Sequence, residues 1–223
     1  MSQIKNNINN INNKLNQYSL QIEGGIHLMA VSKGQDHSKI RQAFEAGQNL
    51  FGENYLQEAL NKKEALKDLE IEWHFIGPIQ SNKCKLIAEN FSWVQSVDRI
   101  KVANKLNEFY TSQTPLNICI QINISNEDTK SGLKINEIDT LANHINNLNK
   151  LKLRGIMAIP SNTNENEILR DEYKQLKVIY ENLRKKYTSV DTLSMGMSND
   201  YLLAIENGAN LVRIGSKIFG KRK

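Results

Sequence analysis

Residues 27–53 read HLMAVSKGQDHSKIRQAFEAGQNLFGE, and the way this stretch divides decides the fold. Its opening, His27–Ser32, is a short apolar run of strand length that ends in Lys33. A helical stretch follows at 38–46, and Ala46-Gly47 looks like a helix end closed by a C′ glycine. A second short run, Leu50–Glu53, then starts the next strand. Strand, helix and strand in succession make one βα unit and the beginning of another.

The same rhythm runs through the chain. Further strand candidates are Trp73–Ile76, Ser92–Val97, Asn117–Ile124, Lys152–Ile159, Thr192–Met195 and Leu211–Ile214. Helical stretches lie between them at 55–67, 80–89, 99–110, 135–148, 165–186 and 199–207. Asn207-Gly208 repeats the glycine stop, while Asp98 and Ser198 read as N-caps. Strict βα alternation makes the strands parallel, since each crossover returns the chain to the same end of the sheet. Eight such units favour a closed barrel, and the Gly-rich turn of an open dinucleotide-binding sheet is missing after the first strand. The expectation is an α/β chain: one (β/α)8 TIM barrel with an extra N-terminal helix, in one domain spanning 1–223. That helix is read at 1–18, where Ile4, Ile8, Ile11 and Leu15 fall on one face of a 3.6-residue period.

Composition narrows the functions on offer. Cys84 and Cys119 have no metal-ligand spacing and only 4 histidines are scattered along the chain, so no metal site is expected. The first residues lack the apolar core of a signal peptide and no run approaches bilayer length, so a cytoplasmic protein without membrane contact is expected. The net charge of +5 raises the question of nucleic acid. The dense basic clusters are Arg184-Lys185-Lys186 and Lys221-Arg222-Lys223, which read as a solvated helix end and a terminus rather than a binding stripe.

In a barrel of this kind chemistry gathers at the C-terminal strand ends. Lys33 sits there. Partial burial at the mouth lowers an amine's pKa and frees a nucleophile, although an ordinary solvated lysine fits the position too. Asn54 offers a donor and an acceptor after the second strand. His74 lies in an otherwise apolar run, where a hydrogen-bonded core histidine is the commoner case. Met157 suits either a flat ring or plain core packing. The loops after strands seven and eight carry Gly196, Ser198, Gly215 and Ser216, a set able to cradle a phosphate; each serine alone also reads as a cap or turn residue. Arg213, flanked by Val212 and Ile214, must find a partner: a strand glutamate such as Glu53 or Glu72, or a ligand atom. The polar segment from Asn126 to Gly132 reads as a mobile loop over the mouth.

At these residues the chain resembles the pyridoxal phosphate homeostasis protein family, whose barrel is similar to the N-terminal domain of alanine racemase. The likeness spans about residues 26 to 220 and rests on motifs at the strand ends. They include Ala30-Val31-Ser32-Lys33, Phe51-Gly52-Glu53-Asn54-Tyr55, Trp73-His74-Phe75-Ile76-Gly77, Leu193-Ser194-Met195-Gly196-Met197-Ser198 and Val212-Arg213-Ile214-Gly215. The resemblance implies pyridoxal 5′-phosphate as cofactor, bound as an internal aldimine on Lys33. It places Arg213 by the pyridine nitrogen, Ser198, Gly215 and Ser216 around the phosphate, and Asn54, His74, Met157 and Ser194 along the ring. Two departures stand out: Ser216 replaces a frequent threonine but keeps its hydroxyl, and Gly34 replaces a usual threonine, which is expected to loosen the turn after Lys33.

An arginine at the ring nitrogen cannot pass it a proton, which weakens the cofactor as an electron sink. Racemases of this barrel draw a second base from an added domain, and no segment for one is read after strand eight. The implied function is therefore a carrier that buffers pyridoxal phosphate or hands it to apo-enzymes, without catalytic residues and monomeric. The alternatives are a racemase-like enzyme and an RNA-binding or scaffold protein.

Overall fold

Inward and outward residues alternate along eight parallel strands, and that alternation separates two kinds of interior. The computed structural model describes residues 2–18, 20, 22–127 and 130–220. Among them are β1 (His27–Val31), β2 (Leu50–Glu53), β3 (Glu72–Phe75), β4 (Trp93–Val97), β5 (Leu116–Ile122), β6 (Leu151–Ala158), β7 (Thr192–Met197) and β8 (Leu211–Ile214). They pair in chain order, and β8 returns to β1 to close the barrel. The expected barrel is the observed one.

The helices are α1 (Gln3–Asn16), α2 (His37–Glu45), α3 (Leu56–Ala65), α4 (Cys84–Asn90), α5 (Ile100–Phe109), α6 (Ile138–Asn146), α7 (Asn166–Lys186), α8 (Tyr201–Glu206) and α9 (Ser216–Phe219). Outward strand residues such as Ala30, Phe51, Val94, Ile120, Ile156 and Val212 join the buried helix faces in one large apolar core. Alternate residues point into the barrel. Met29, Val31, Ile76 and Leu211 form one group there, and Trp93, Cys119 and Met157 another. Gly52 makes room for this filling, because a Cβ on it would fall 2.6 Å from the Met29 sulfur. Gly155 has φ +152°, and its added Cβ would fall 1.8 Å from the Thr192 carbonyl oxygen, so β6 and β7 meet only around a glycine.

Helix α1 is amphipathic as its spacing implies. Ile4, Ile8, Ile11 and Leu15 are buried, Ser2 caps its start, and the Asn7 amide donates to the Ile218 carbonyl of α9 at 2.9 Å. The glycine stops are also as read: Gly47 and Gly208 follow α2 and α8 with φ +93° and +97°.

Several boundaries differ from the sequence reading. Asp98 does not cap α5; it takes the Arg99 guanidinium instead. Ser198 does not cap α8, whose cap position is Asp200, so Ser198 stays in the β7 loop. The helices expected at 80–89 and 135–148 open with 3-10 turns, Ser81–Lys83 and Ile135–Glu137. The four-residue α9 was not anticipated, because so short an element has no periodicity to detect.

Arg184 and Lys186, at the exposed end of α7, pair with Glu23 and Asp139. The basic segment 221–223 lies outside the described residues. No helix among the described residues is long and apolar enough to cross a membrane, and no cluster of His, Cys, Asp and Glu there has the grouping of a metal site.

Candidate functional site

A cavity of about 900 Å³ opens at the C-terminal ends of the strands, the face where the sequence places the chemistry. Lys33, Asn54, Met157, Ser198, Arg213, Gly215 and Ser216 all line it. Lys33 arrives from the end of β1, Asn54 from β2, Met157 from β6, Ser198 from the β7 loop and the remaining three from β8 and its exit. Lys130, on the loop after β5, also borders the cavity and donates to the Pro160 carbonyl at 3.0 Å. Asp128 and Thr129 of that loop lie outside the described residues.

The turn that carries Lys33 is clasped from behind. The Ser32 hydroxyl donates to Glu53 Oε1 at 2.6 Å, and Lys62 Nζ of α3 donates to the Ser32 carbonyl at 2.7 Å. Lys62 also pairs with Glu53 at 2.7 Å and with Glu58 at 2.5 Å. Glu58 in turn accepts the Gly34 N–H at 2.6 Å. Gly34 has φ +71°, a conformation glycine adopts at little cost. Both neighbours of Lys33 are thus tied to one ion-pair group, in which Lys62 and Glu53 are buried and Glu58 is partly exposed. Burial raises the Glu53 pKa, opposed by Lys62 and by the Ser32 hydroxyl.

Arg213 is the other fixed point. Its side chain is buried, and Nη1 donates to the carbonyl and the hydroxyl of Ser194, both at 2.7 Å. Nη2 donates to the Ala158 carbonyl at 2.8 Å. Neither glutamate suggested by the sequence pairs with it: Glu53 is taken by Lys62, and Glu72 by His74. Burial lowers the Arg213 pKa to about 10, so it stays charged at neutral pH while its hydrogen-bonded partners are neutral oxygens. A buried cation so placed favours an electron-rich ligand atom at the cavity wall. The Asn54 Oδ1 atom is also buried, and no protein group hydrogen-bonds to it. A polar ligand with a donor at that point would satisfy it.

Two residues expected along the ring do not border the mouth cavity. His74 is fully buried, stacks on Trp93 at 4.9 Å between ring centroids, and borders a second cavity of about 470 Å³ with Glu72 and Arg154. Ser194 is fully buried beneath Arg213 and is not among the residues lining the mouth. Met157 combines both readings of it, since it packs on Trp93 and Cys119 and also lines the mouth.

Comparison with known proteins places the chain in a family. Residues 1–223 match the family described as alanine racemase, N-terminal domain. The chain is 47% identical over 211 residues to the pyridoxal phosphate homeostasis protein of Pasteurella multocida, covering 92% of this chain and 91% of that one. It is 45% identical to the protein of the same name from Vibrio alginolyticus, covering 100% and 99%. The chain belongs to the pyridoxal phosphate homeostasis protein family. Among solved structures, PipY of Synechococcus elongatus with PLP bound superposes with a TM-score of 0.83 at 29% identity, covering 97% of this chain and 100% of PipY. Alanine racemase from Corynebacterium glutamicum shares the barrel alone, with a TM-score of 0.73 at 17% identity over 98% of this chain and 61% of the racemase.

Within the barrel of this family member, sequence reading passed over Gln95 and Lys62. Gln95 had a usable signal, being an amide in Trp93-Val94-Gln95-Ser96-Val97, where every residue is buried. Lys62 had none, because a lysine on a polar helix looks solvated until the helix is docked.

Proposed function

We propose that this chain holds pyridoxal 5′-phosphate as a Schiff base on Lys33 and serves intracellular vitamin B6 homeostasis by storing the cofactor and passing it to apo-enzymes, without significant turnover of amino acids. The observation that carries the reading is the pairing of Lys33 and Arg213 on one cavity, with Arg213 buried among neutral oxygens. Family membership and the cofactor bound in PipY point the same way.

When bound, pyridoxal phosphate supplies an aldehyde for an amine and a ring that withdraws electrons. Lys33 offers the amine. Arg213 would direct N–H toward the ring nitrogen and, charged at neutral pH, would not pass it a proton, which would disfavour carbanion chemistry. Ser198 and Ser216 offer hydroxyls to the phosphate, and the backbone at Gly215 approaches it without a side chain. Asn54 would face the ligand with a buried Oδ1 that calls for an N–H or O–H donor there. The proposal takes the chain as one cytoplasmic, monomeric barrel domain that does not bind nucleic acid.

An absorbance spectrum before and after borohydride, beside Lys33→Ala, tests it. A band trapped by reduction in the parent and missing in the variant is expected. A parent that stays colourless after adding cofactor refutes the assignment. Exchange of the α-proton of added amino acids with solvent would instead support a racemase-like activity of the shared barrel.

A further inference from the structure

A continuous polar column crosses the otherwise apolar barrel and ends on Arg213. Arg213 Nη1 donates to Ser194 Oγ at 2.7 Å, and Ser194 Oγ donates to Gln95 Oε1 at 2.7 Å. Gln95 Nε2 faces His74 Nδ1 at 2.9 Å, and His74 Nε2 faces Glu72 Oε1 at 2.7 Å. Ser194, Gln95 and His74 are fully buried, whereas the Glu72 side chain is 43% exposed in the second cavity at the far end of the barrel.

The direction of every bond follows from its two ends. Arg213 has only donors, so Ser194 Oγ accepts from it and must send its own hydrogen to Gln95. That fixes the Gln95 oxygen toward Ser194 and its NH₂ toward His74. Nδ1 of His74 is then an acceptor, the proton sits on Nε2, and the imidazole donates to Glu72. Burial lowers the His74 pKa and the bond to His74 lowers that of Glu72, which agrees with a neutral imidazole against a carboxylate. All the bonds run one way, from the cation to the anion, so each polarises the next.

We propose that Gln95 and His74 are positioning residues for the cofactor. Through Ser194 the column fixes the plane of the Arg213 guanidinium and so aims its remaining N–H groups into the mouth. Glu72, at the far end of the barrel, anchors the column by accepting the His74 Nε2–H and so holding the imidazole in the tautomer that Gln95 requires. The expected roles of His74 and Ser194 along the ring are replaced by this indirect one, which rests on the Lys33 and Arg213 assignment above.

The test is a double-mutant cycle on cofactor affinity, with thermal melting as a check of folding. Gln95→Leu keeps the volume and removes both hydrogen bonds. It is expected to weaken pyridoxal phosphate binding roughly tenfold, the scale of one hydrogen bond to a charged group. In an Arg213→Leu background the same change is expected to have no further effect. An equal loss in both backgrounds would mean a merely structural role and overturn the proposal, as would unchanged affinity in the parent background. Nitrogen-15 NMR of His74 in the unaltered protein gives an independent check should Gln95→Leu misfold: the Nε2–H tautomer is required, and Nδ1–H would overturn the column. If the parent protein shows no borohydride-trapped link at Lys33, the functional reading fails, while the tautomer still decides the column.

Discussion

Replacing Lys62 by methionine removes a charge while keeping most of the volume, and its cost can be worked from the clasp. Lys62 and Glu53 are almost wholly buried, with side chains 7% and 0% exposed, and their atoms lie 2.7 Å apart. Without the ammonium, Glu53 keeps only the Ser32 hydroxyl on Oε1, and its Oε2 already lacks a partner. Breaking such a buried pair costs about 3–5 kcal/mol. A second estimate comes from the carboxylate's escape by protonation. Between an ordinary glutamate pKa of about 4.3 and pH 7, that costs ~3.7 kcal/mol at 1.36 kcal/mol per unit. Because burial already raises the Glu53 pKa in the parent, the second figure is an upper bound, and a loss of about 3 kcal/mol at pH 7, the low end of the first range, is expected.

The pH dependence has a definite sign. Desolvation already raises the Glu53 pKa above its unfolded value, and losing Lys62 leaves only the Ser32 hydroxyl to oppose this. Above the ordinary carboxylate range the variant's native state then holds more protons than its unfolded state, so its stability falls as pH rises toward the raised pKa. The deficit relative to the parent is thus largest above neutrality and shrinks toward pH 5. Urea melts at both pH values measure this, with Glu53→Gln/Lys62→Met recovering at least half of the loss. A deficit under about 1 kcal/mol at pH 7, or one that does not change with pH, would refute the assignment of a buried ion pair behind Lys33.

Three further outcomes follow from packing and burial. Gly155→Ala should lower stability by roughly 2–4 kcal/mol, read as a fall in Tm, because its methyl meets the Thr192 carbonyl at 1.8 Å in a φ region alanine avoids. A change within measurement error would mean that β6 and β7 part more easily than their contact implies. Ile8→Ala should cost about 2–4 kcal/mol if α1 is integral to the barrel, since Ile8 is only 1% exposed. Loss of α1 signals without a change in the main melt would show a helix that docks independently. Burial pushes the Cys119 thiol up to about 12 and raises Cys84 as well. A thiol reagent at pH 8 should therefore modify neither cysteine in the native protein and both after unfolding; fast native labelling of Cys119 would show an interior open to solvent.

How much the chain reveals on its own depends on whether a feature is local. Strand and helix order, the glycine stops at Gly47 and Gly208 and the buried face of α1 were legible, because each arises from a short period or a single residue's φ preference. So was the strand-end placement of Lys33, Asn54 and Arg213, since in a parallel barrel every strand ends on the same face. Tertiary structure decided how deep each inward side chain sits. The register of β7 on β8 shifts between Ser194 and Met197, so Ser194 pairs with Leu211 and lies below Arg213. His74 lies level with Trp93 and faces the opposite cavity. The partners of Lys62 and of Gln95 were likewise fixed only by folding, through contacts 30 and 99 residues apart in the chain. Sequence periodicity gives the face a residue occupies; strand stagger around a closed barrel sets its layer, and that depends on all eight strands together.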